Sequence, residues 1–321
     1  MANKNSQITL LVCNLTNKKS RDTHHMKNTT HTPLLLAILS AITYGISFPL
    51  SKLLLLHVPT FEMTSLLYAG SGIGMIIISF FMRQNTQKKE DKLGREDLPT
   101  IIWMIILNLA ASSLLLIGIR LASAGTISLL SNFEIVATTV IARLLFKERL
   151  GKRVFVAIVL ILFSSLLLSV ADFSHFQLSI GALFALLACI CWGAENNTTA
   201  ILSSKDPLQI VIVKSLATAF FAIIIAFFTE NLVYQWPIII YGLCLGFVSY
   251  GLSLYFYITS QRYIGAIRTG AYFATAPFIG LILSWVMFGQ LLTMSFMVAI
   301  ILMTFGVYLV ASETHVEDEL T

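Results

Sequence analysis

Charge is what this chain has least of. Asp, Glu, Lys and Arg make up 12% of its 321 residues, about half the share of an ordinary soluble domain and too few to cover a particle of that size with polar surface. A soluble globule is excluded on that ground. All six histidines lie outside the long apolar runs, which argues against a His-ligated metal at membrane depth. Of the four cysteines, Cys189, Cys191 and Cys244 fall inside apolar runs and Cys13 in the polar N-terminal segment, so neither a disulfide framework nor a metal spacing results. No Gly-Lys-Ser/Thr phosphate loop, His-Glu-x-x-His or Gly-x-Ser-x-Gly occurs. Direct ATP coupling and intramembrane hydrolysis therefore have no motif to rest on, and no cofactor is implied.

What the chain has instead is apolar length. Hydrophobic residues make up 57% of it, with a mean hydropathy of +0.83, and they fall into runs able to cross about 30 Å of hydrocarbon as helices. Ten spans are expected: Leu34–Leu55, Met63–Met82, Ile101–Ile119, Ala124–Phe146, Val154–Val170, Leu178–Ile201, Leu208–Phe228, Pro237–Ile258, Ile267–Phe288 and Leu292–Val310. All should be α-helical, because an open sheet edge cannot be satisfied in lipid. Residues 1–33 form a polar extension with no signal-peptide character, read as disordered, and Met26 is an alternative start. Residues 312–321 form a short tail.

The basic residues decide orientation. With the N-terminus inside, the inner segments hold Lys4, Lys18, Lys19, Arg21, Lys27, Arg83, Lys88, Lys89, Lys92 and Arg95, then Lys147, Arg149, Lys152, Arg153, Lys205 and Arg262. The outer loops hold Arg120 alone. That asymmetry puts both termini in the cytoplasm and makes the protein a multi-pass protein of the cytoplasmic membrane. It also accounts for the net charge of +5 as a topology signal, with no call for a nucleic-acid partner.

The chain repeats itself. A shift of 142 residues aligns Arg120-Leu-Ala-Ser-Ala124 with Arg262-Tyr-Ile-Gly-Ala266 and Phe146 with Phe288. A shift of 148 aligns Tyr44-Gly45 with Trp192-Gly193 and Ala37 with Ala185. The repeats are residues 34–173 and 174–311, five spans each. An odd number of spans inverts the second repeat relative to the first, the arrangement that supports alternating access.

With Tyr44-Gly45, Ser47, Pro49 and Lys52 early, Phe146-Lys147-Glu148 closing the fourth span and Ala276-Pro277-Phe278 in the ninth, the chain resembles the EamA-type 5+5 transporters of the drug/metabolite transporter superfamily over roughly Leu34 to Val310. The resemblance implies ten helices, cytoplasmic termini and a central cavity between the halves. It also implies transport of a small metabolite, often outward and often coupled to protons. Two positions depart from the pattern: Ile135 stands where the fourth span would carry proline, and Gln290 where the ninth would close on an acid.

Ionisable groups at bilayer depth cost about 2.5–3.5 kcal/mol each on insertion scales, so each needs a reason. Glu134 is the clearest. Ser128, Ser131, Glu134 and Thr138 recur at helical spacing with Asn132 adjacent, a polar stripe expected to face the cavity. Glu134 then either exchanges a proton or binds a substrate ammonium, or else it is a hydrogen-bonded structural acid. A second constellation is Glu195-Asn196-Asn197 in the sixth span with Lys214 in the seventh. Counted from the turn at Ser204, Glu195 and Lys214 reach similar depth and can pair, as a structural bridge or as a gate. Lys52, Arg143 and Arg268 should snorkel to the interface, and Tyr250, Tyr255 and Tyr272 are further cavity candidates. The leading expectation is a secondary carrier of a small polar metabolite such as an amino acid or amine. An intramembrane enzyme and a membrane receptor are the alternatives from other classes, and nothing in the residues fixes oligomeric state, so a homodimer is admitted.

Overall fold

The computed structural model describes residues 31–83, 91–146, 151–172, 177–202, 205–264, 269, 272–289 and 293–319. The alternative start at Met26, Arg268 and Gln290 lie outside them. The protein is a multi-pass bundle whose spans are all helical. The first span is His31–Gly45 continued by Ser47–Leu54, the second Thr60–Arg83 and the third Leu98–Leu121. The fourth is Ala124–Leu130 plus Phe133–Phe146, and the fifth is Lys152–Ser169. The sixth is Ile180–Ile201, the seventh Pro207–Thr229 and the eighth Trp236–Gly246 through Ser253–Ile264. Among the described residues eight helices are long and apolar enough to cross a membrane. The ninth and tenth expected positions hold shorter apolar helices, Ala276–Phe288 and the apolar part, Met294–Val310, of a longer helix.

One short antiparallel pair, Val170–Asp172 with Gln177–Leu178, joins the fifth span to the sixth, where the sequence suggested only a loop. It lies between the spans, where water can satisfy its edges.

Lipid-facing chemistry is plain in what is exposed and what is buried. Phe81 is 73% exposed, Phe228 79% and Leu144 74%, whereas Ser40, Ser71, Ser128, Ser164 and Ser284 are fully buried. Small polar side chains inside and large apolar ones outside suit a bundle held by close packing and interhelical hydrogen bonds in an apolar solvent.

The third span packs along the sixth and the first along the eighth; the fourth touches the sixth and the ninth touches the first. The second packs on the seventh and eighth, the seventh on the second and third, the fourth on the ninth and the fifth on the tenth. Replacing every span by its counterpart in the other repeat maps this pairing onto itself, as an inverted repeat requires.

Serine hydroxyls tie these pairs to backbone. The Ser40 hydroxyl donates to the Ser253 carbonyl at 2.8 Å and Ser253 returns the bond to the Ser40 carbonyl at 2.9 Å. Ser65 donates to Ala219 O at 3.0 Å, Ser128 to Pro277 O at 2.7 Å and Ser164 to Ala299 O at 2.8 Å. Between the second and eighth spans the approach is closer still. A Cβ on Gly70 would strike the Leu243 carbonyl, and one on Gly246 the Leu67 carbonyl, so only glycine allows those backbones to meet.

Polar groups secure the two ends of the bundle. At one end Asp206 caps the seventh span by accepting from Leu208 N at 3.0 Å, with Pro207 in the first turn. Lys205 lies 3.5 Å from Asp97 there. At the other end Glu230 accepts from Phe61 N and Glu62 N at 3.0 Å each, and Glu62 accepts from Val233 N at 2.9 Å. A carboxylate at the N-terminus of the second span suits the positive end of its dipole. Lys52, expected to snorkel, is instead a cap: its ammonium donates to the carbonyls of Ile119, Arg120 and Ala122 at 2.6, 3.0 and 2.9 Å, filling the acceptors left open at the end of the third span.

Candidate functional site

The fourth span does not run through. Its ladder tightens at Ser131–Asn132, where Asn132 N, Glu134 N and Ile135 N reach back only three residues, to the carbonyls of Leu129, Ser131 and Asn132. A helix restarts at Phe133. The ninth span breaks at the corresponding place: Thr275 N bonds Tyr272 O, Phe278 N bonds Thr275 O, and a helix restarts at Ala276 with Pro277 behind it. The eighth span carries a third irregularity, a π-helical stretch Phe247–Leu252. Interruptions of this kind gather where a membrane protein lines a cavity.

A cavity of about 150 Å³ lies among them, the size of a void that holds a benzene-sized solute. Both halves build it. Glu134 enters from the restarted half of the fourth span, Glu195 and Asn196 from the sixth and Lys214 from the seventh, so the two constellations expected from the sequence share one space. Glu195 Oε1 lies 3.3 Å from Lys214 Nζ and also accepts from Thr199 Oγ1 at 2.6 Å. Glu134 Oε1 accepts from Asn196 Nδ2 at 2.6 Å. No cation lies within salt-bridge distance of Glu134 among the described residues, and its position in the first turn of a helix is where a negative charge is favoured.

The other expected site residues are placed differently. Thr138 Oγ1 stands 3.4 Å from Asn196 Nδ2, behind the cavity wall. Asn197 turns away, donating to Gly193 O at 2.7 Å and Thr138 O at 3.1 Å. Ser131 bonds back to Ser128 O at 2.6 Å, and Ser128 holds the ninth span, so the stripe reaches the cavity through Glu134 alone. The tightened turn swings the serines off the face that an unbroken helix would give them. Asn132 is buried with its side-chain nitrogen unpartnered among the described residues. Of the three tyrosine candidates, Tyr250 lines the cavity and Tyr255 and Tyr272 do not.

Aromatic rings form most of the remaining wall. Tyr68 and Tyr250 have ring centroids 5.3 Å apart, Tyr250 and Tyr44 5.9 Å, Tyr44 and Phe273 5.3 Å, and Phe273 and Tyr257 5.1 Å. The chain of rings draws on the first, second, eighth and ninth spans. Tyr68 is held by its hydroxyl, which donates to Asn108 Oδ1 at 3.1 Å and pairs with Ser112 Oγ at 2.6 Å, while Asn108 Nδ2 donates to Thr218 Oγ1 at 2.9 Å. Ser249, fully buried on the π-helical stretch, lines the cavity with its hydroxyl unpartnered among the described residues. Sequence reasoning missed Tyr68, Asn108, Tyr257, Phe273 and Ser249. Asn108 alone left a signal, an amide in the middle of an otherwise apolar span.

Among the described residues no group of three or more His, Cys, Asp or Glu side chains is disposed to hold a metal. A membrane-embedded helical bundle of inverted repeats around a central cavity lined by rings and a few charged groups defines the class, a transporter of small molecules. The EamA-like transporter family matches residues 31–170 and again 179–312, and the chain belongs to that family. A protein of Methanothermobacter thermautotrophicus described as an uncharacterized transporter is 26% identical over 293 residues, covering 85% of this chain and 84% of its own. A protein of known crystal structure shares the fold, with a TM-score of 0.64 at 16% identity over 85% of this chain and 94% of the other.

Proposed function

We propose that this transporter is a secondary carrier that exports a small polar metabolite, an amine or amino acid, across the cytoplasmic membrane by alternating access, with both termini in the cytoplasm. One observation carries the reading: the cavity lies where the interrupted spans of the two inverted repeats meet, and it holds a carboxylate, Glu134, with no cation within salt-bridge distance among the described residues. Such a group takes either a proton or the ammonium of a substrate. It thereby links the movement of one to the movement of the other.

The reading is tested by reconstituting the protein in liposomes with a trapped pH dye, imposing a proton gradient, and screening amines and amino acids alongside counterflow of a labelled substrate. Wild type should show saturable counterflow with accompanying proton movement, and Glu134→Gln should lose both while keeping its elution profile and thermal stability. Full transport with unchanged pH dependence in Glu134→Gln would make the residue a structural acid. Absence of counterflow for every amine and amino acid would remove this substrate class.

A further inference from the structure

We infer that the cavity is a receptor for a small organic monocation, an alkyl- or arylalkylammonium, with its ammonium on the Glu134 carboxylate and its apolar body against the chain of rings. This rests on the transport reading and settles a choice that reading leaves open, between a cation and a zwitterion.

Charge makes the first argument. Among the described residues the carboxylates and ammonium groups that line the cavity are Glu134, Glu195 and Lys214, two carboxylates and one ammonium. Lys214 is taken by Glu195 at 3.3 Å, so Glu134 stands as a single, half-buried negative charge at the cavity wall. Burying an unpaired charge is costly. A monocation brings the site to neutrality, a zwitterion leaves it charged, and an anion doubles the imbalance. A zwitterion's carboxylate would also have to draw Lys214 away from Glu195.

The wall makes the second. Tyr44, Tyr250, Tyr257 and Phe273 line the same space as Glu134, with neighbouring rings inclined by 72°, 37° and 69°, so that both faces and edges are presented. Ring faces attract an ammonium and its adjoining methylenes, and they offer nothing to a carboxylate. A third, independent observation is Ser249, whose buried hydroxyl lines the cavity with no hydrogen-bond partner among the described residues. It supplies an acceptor for an ammonium N–H beyond the one Glu134 takes. A volume of about 150 Å³ limits the ligand to roughly one ring with a short tail.

The test is equilibrium binding to the purified full chain in nanodiscs, with labelled phenethylamine as probe. Its competitors share the ring and differ in charge: unlabelled phenethylamine, phenylalanine, 3-phenylpropionate and 2-phenylethanol. Phenethylamine should bind saturably, phenylalanine should compete roughly tenfold or more weakly, and 3-phenylpropionate should not compete. Glu134→Gln should weaken amine binding by roughly tenfold or more while leaving the competition by neutral 2-phenylethanol unchanged. Phenylalanine binding as tightly as the amine, amine binding unaltered in Glu134→Gln, or no saturable amine binding each overturns the inference. The wild-type series needs no variant to fold. Flux separates the two readings: counterflow of phenylalanine without amine binding sinks the inference and keeps the carrier, whereas amine binding without counterflow does the reverse.

Discussion

The fourth and ninth spans make the same turn with different residues. Both lose α-helical register for about one turn at corresponding positions, and both restart a helix against the cavity. The ninth carries Ala276-Pro277 there and the fourth carries Glu134-Ile135. Proline is therefore not what keeps the fourth span broken. Packing does: Ser128 is bonded to the Pro277 carbonyl at 2.7 Å, and a Cβ on Gly280 would come within 2.9 Å of both the Gly45 carbonyl and the Phe48 ring, which locks the first, fourth and ninth spans together at that level. With the shape held from outside, the fourth span was free to carry an acid. The two carboxylates of the cavity differ in the same way, since Glu195 has Lys214 and Glu134 has an amide.

Three single substitutions and one charge swap press on these contrasts. Lys214→Met leaves Glu195 buried without its cation, and we expect a loss of about 3–5 kcal/mol, read as a large fall in thermal stability in detergent. The swap Glu195→Lys with Lys214→Glu should recover most of it. If Lys214→Met is as stable as wild type, the pair is not what neutralises Glu195. Leu115→Pro, buried in the unbroken C-terminal half of the third span, should cost about 3 kcal/mol or more by removing a ladder bond and clashing with the turn before it. Ile135→Pro should cost only about 1 kcal/mol, the value of the one bond from Ile135 N to Asn132 O at 3.1 Å. Equal losses for the two proline variants would mean that the fourth span is stiff at the break, and the likeness to the ninth would be one of shape alone.

Much of the architecture could be read from the sequence because lipid enforces it. Run length, alternation of the spans and the internal repeat all answer to the thickness and dielectric of the bilayer, and Glu134, Glu195 and Lys214 were conspicuous because charge is rare there. The pairing of Glu195 with Lys214 was legible too, but the surroundings of Glu134 were less so. Helical spacing put Ser131 and Asn197 on the same faces as true cavity residues, and only the tightened turn at Ser131–Asn132 and the bond from Asn197 to the Gly193 carbonyl take them away. Of the ring wall only Tyr250 was a candidate, because Tyr44, Tyr68, Tyr250 and Phe273 come from four different spans and tyrosine is common at helix ends and in packing. Lys52 read as an interfacial lysine because its acceptors belong to another helix, some 70 residues on.

The serine hydroxyls that cross between spans have a consequence for movement. Each donates to a main-chain carbonyl of a neighbouring helix, and such a helix offers another carbonyl about every 1.5 Å of its length. When one span slides or tilts against another, a hydroxyl that lets go of one oxygen meets an equivalent one nearby. The exchange is between like and like, without stripping water from an ion. A bundle fastened in this way can be firm in each resting arrangement and still have low steps between them, much as a row of identical buttonholes lets one button be moved along the cloth.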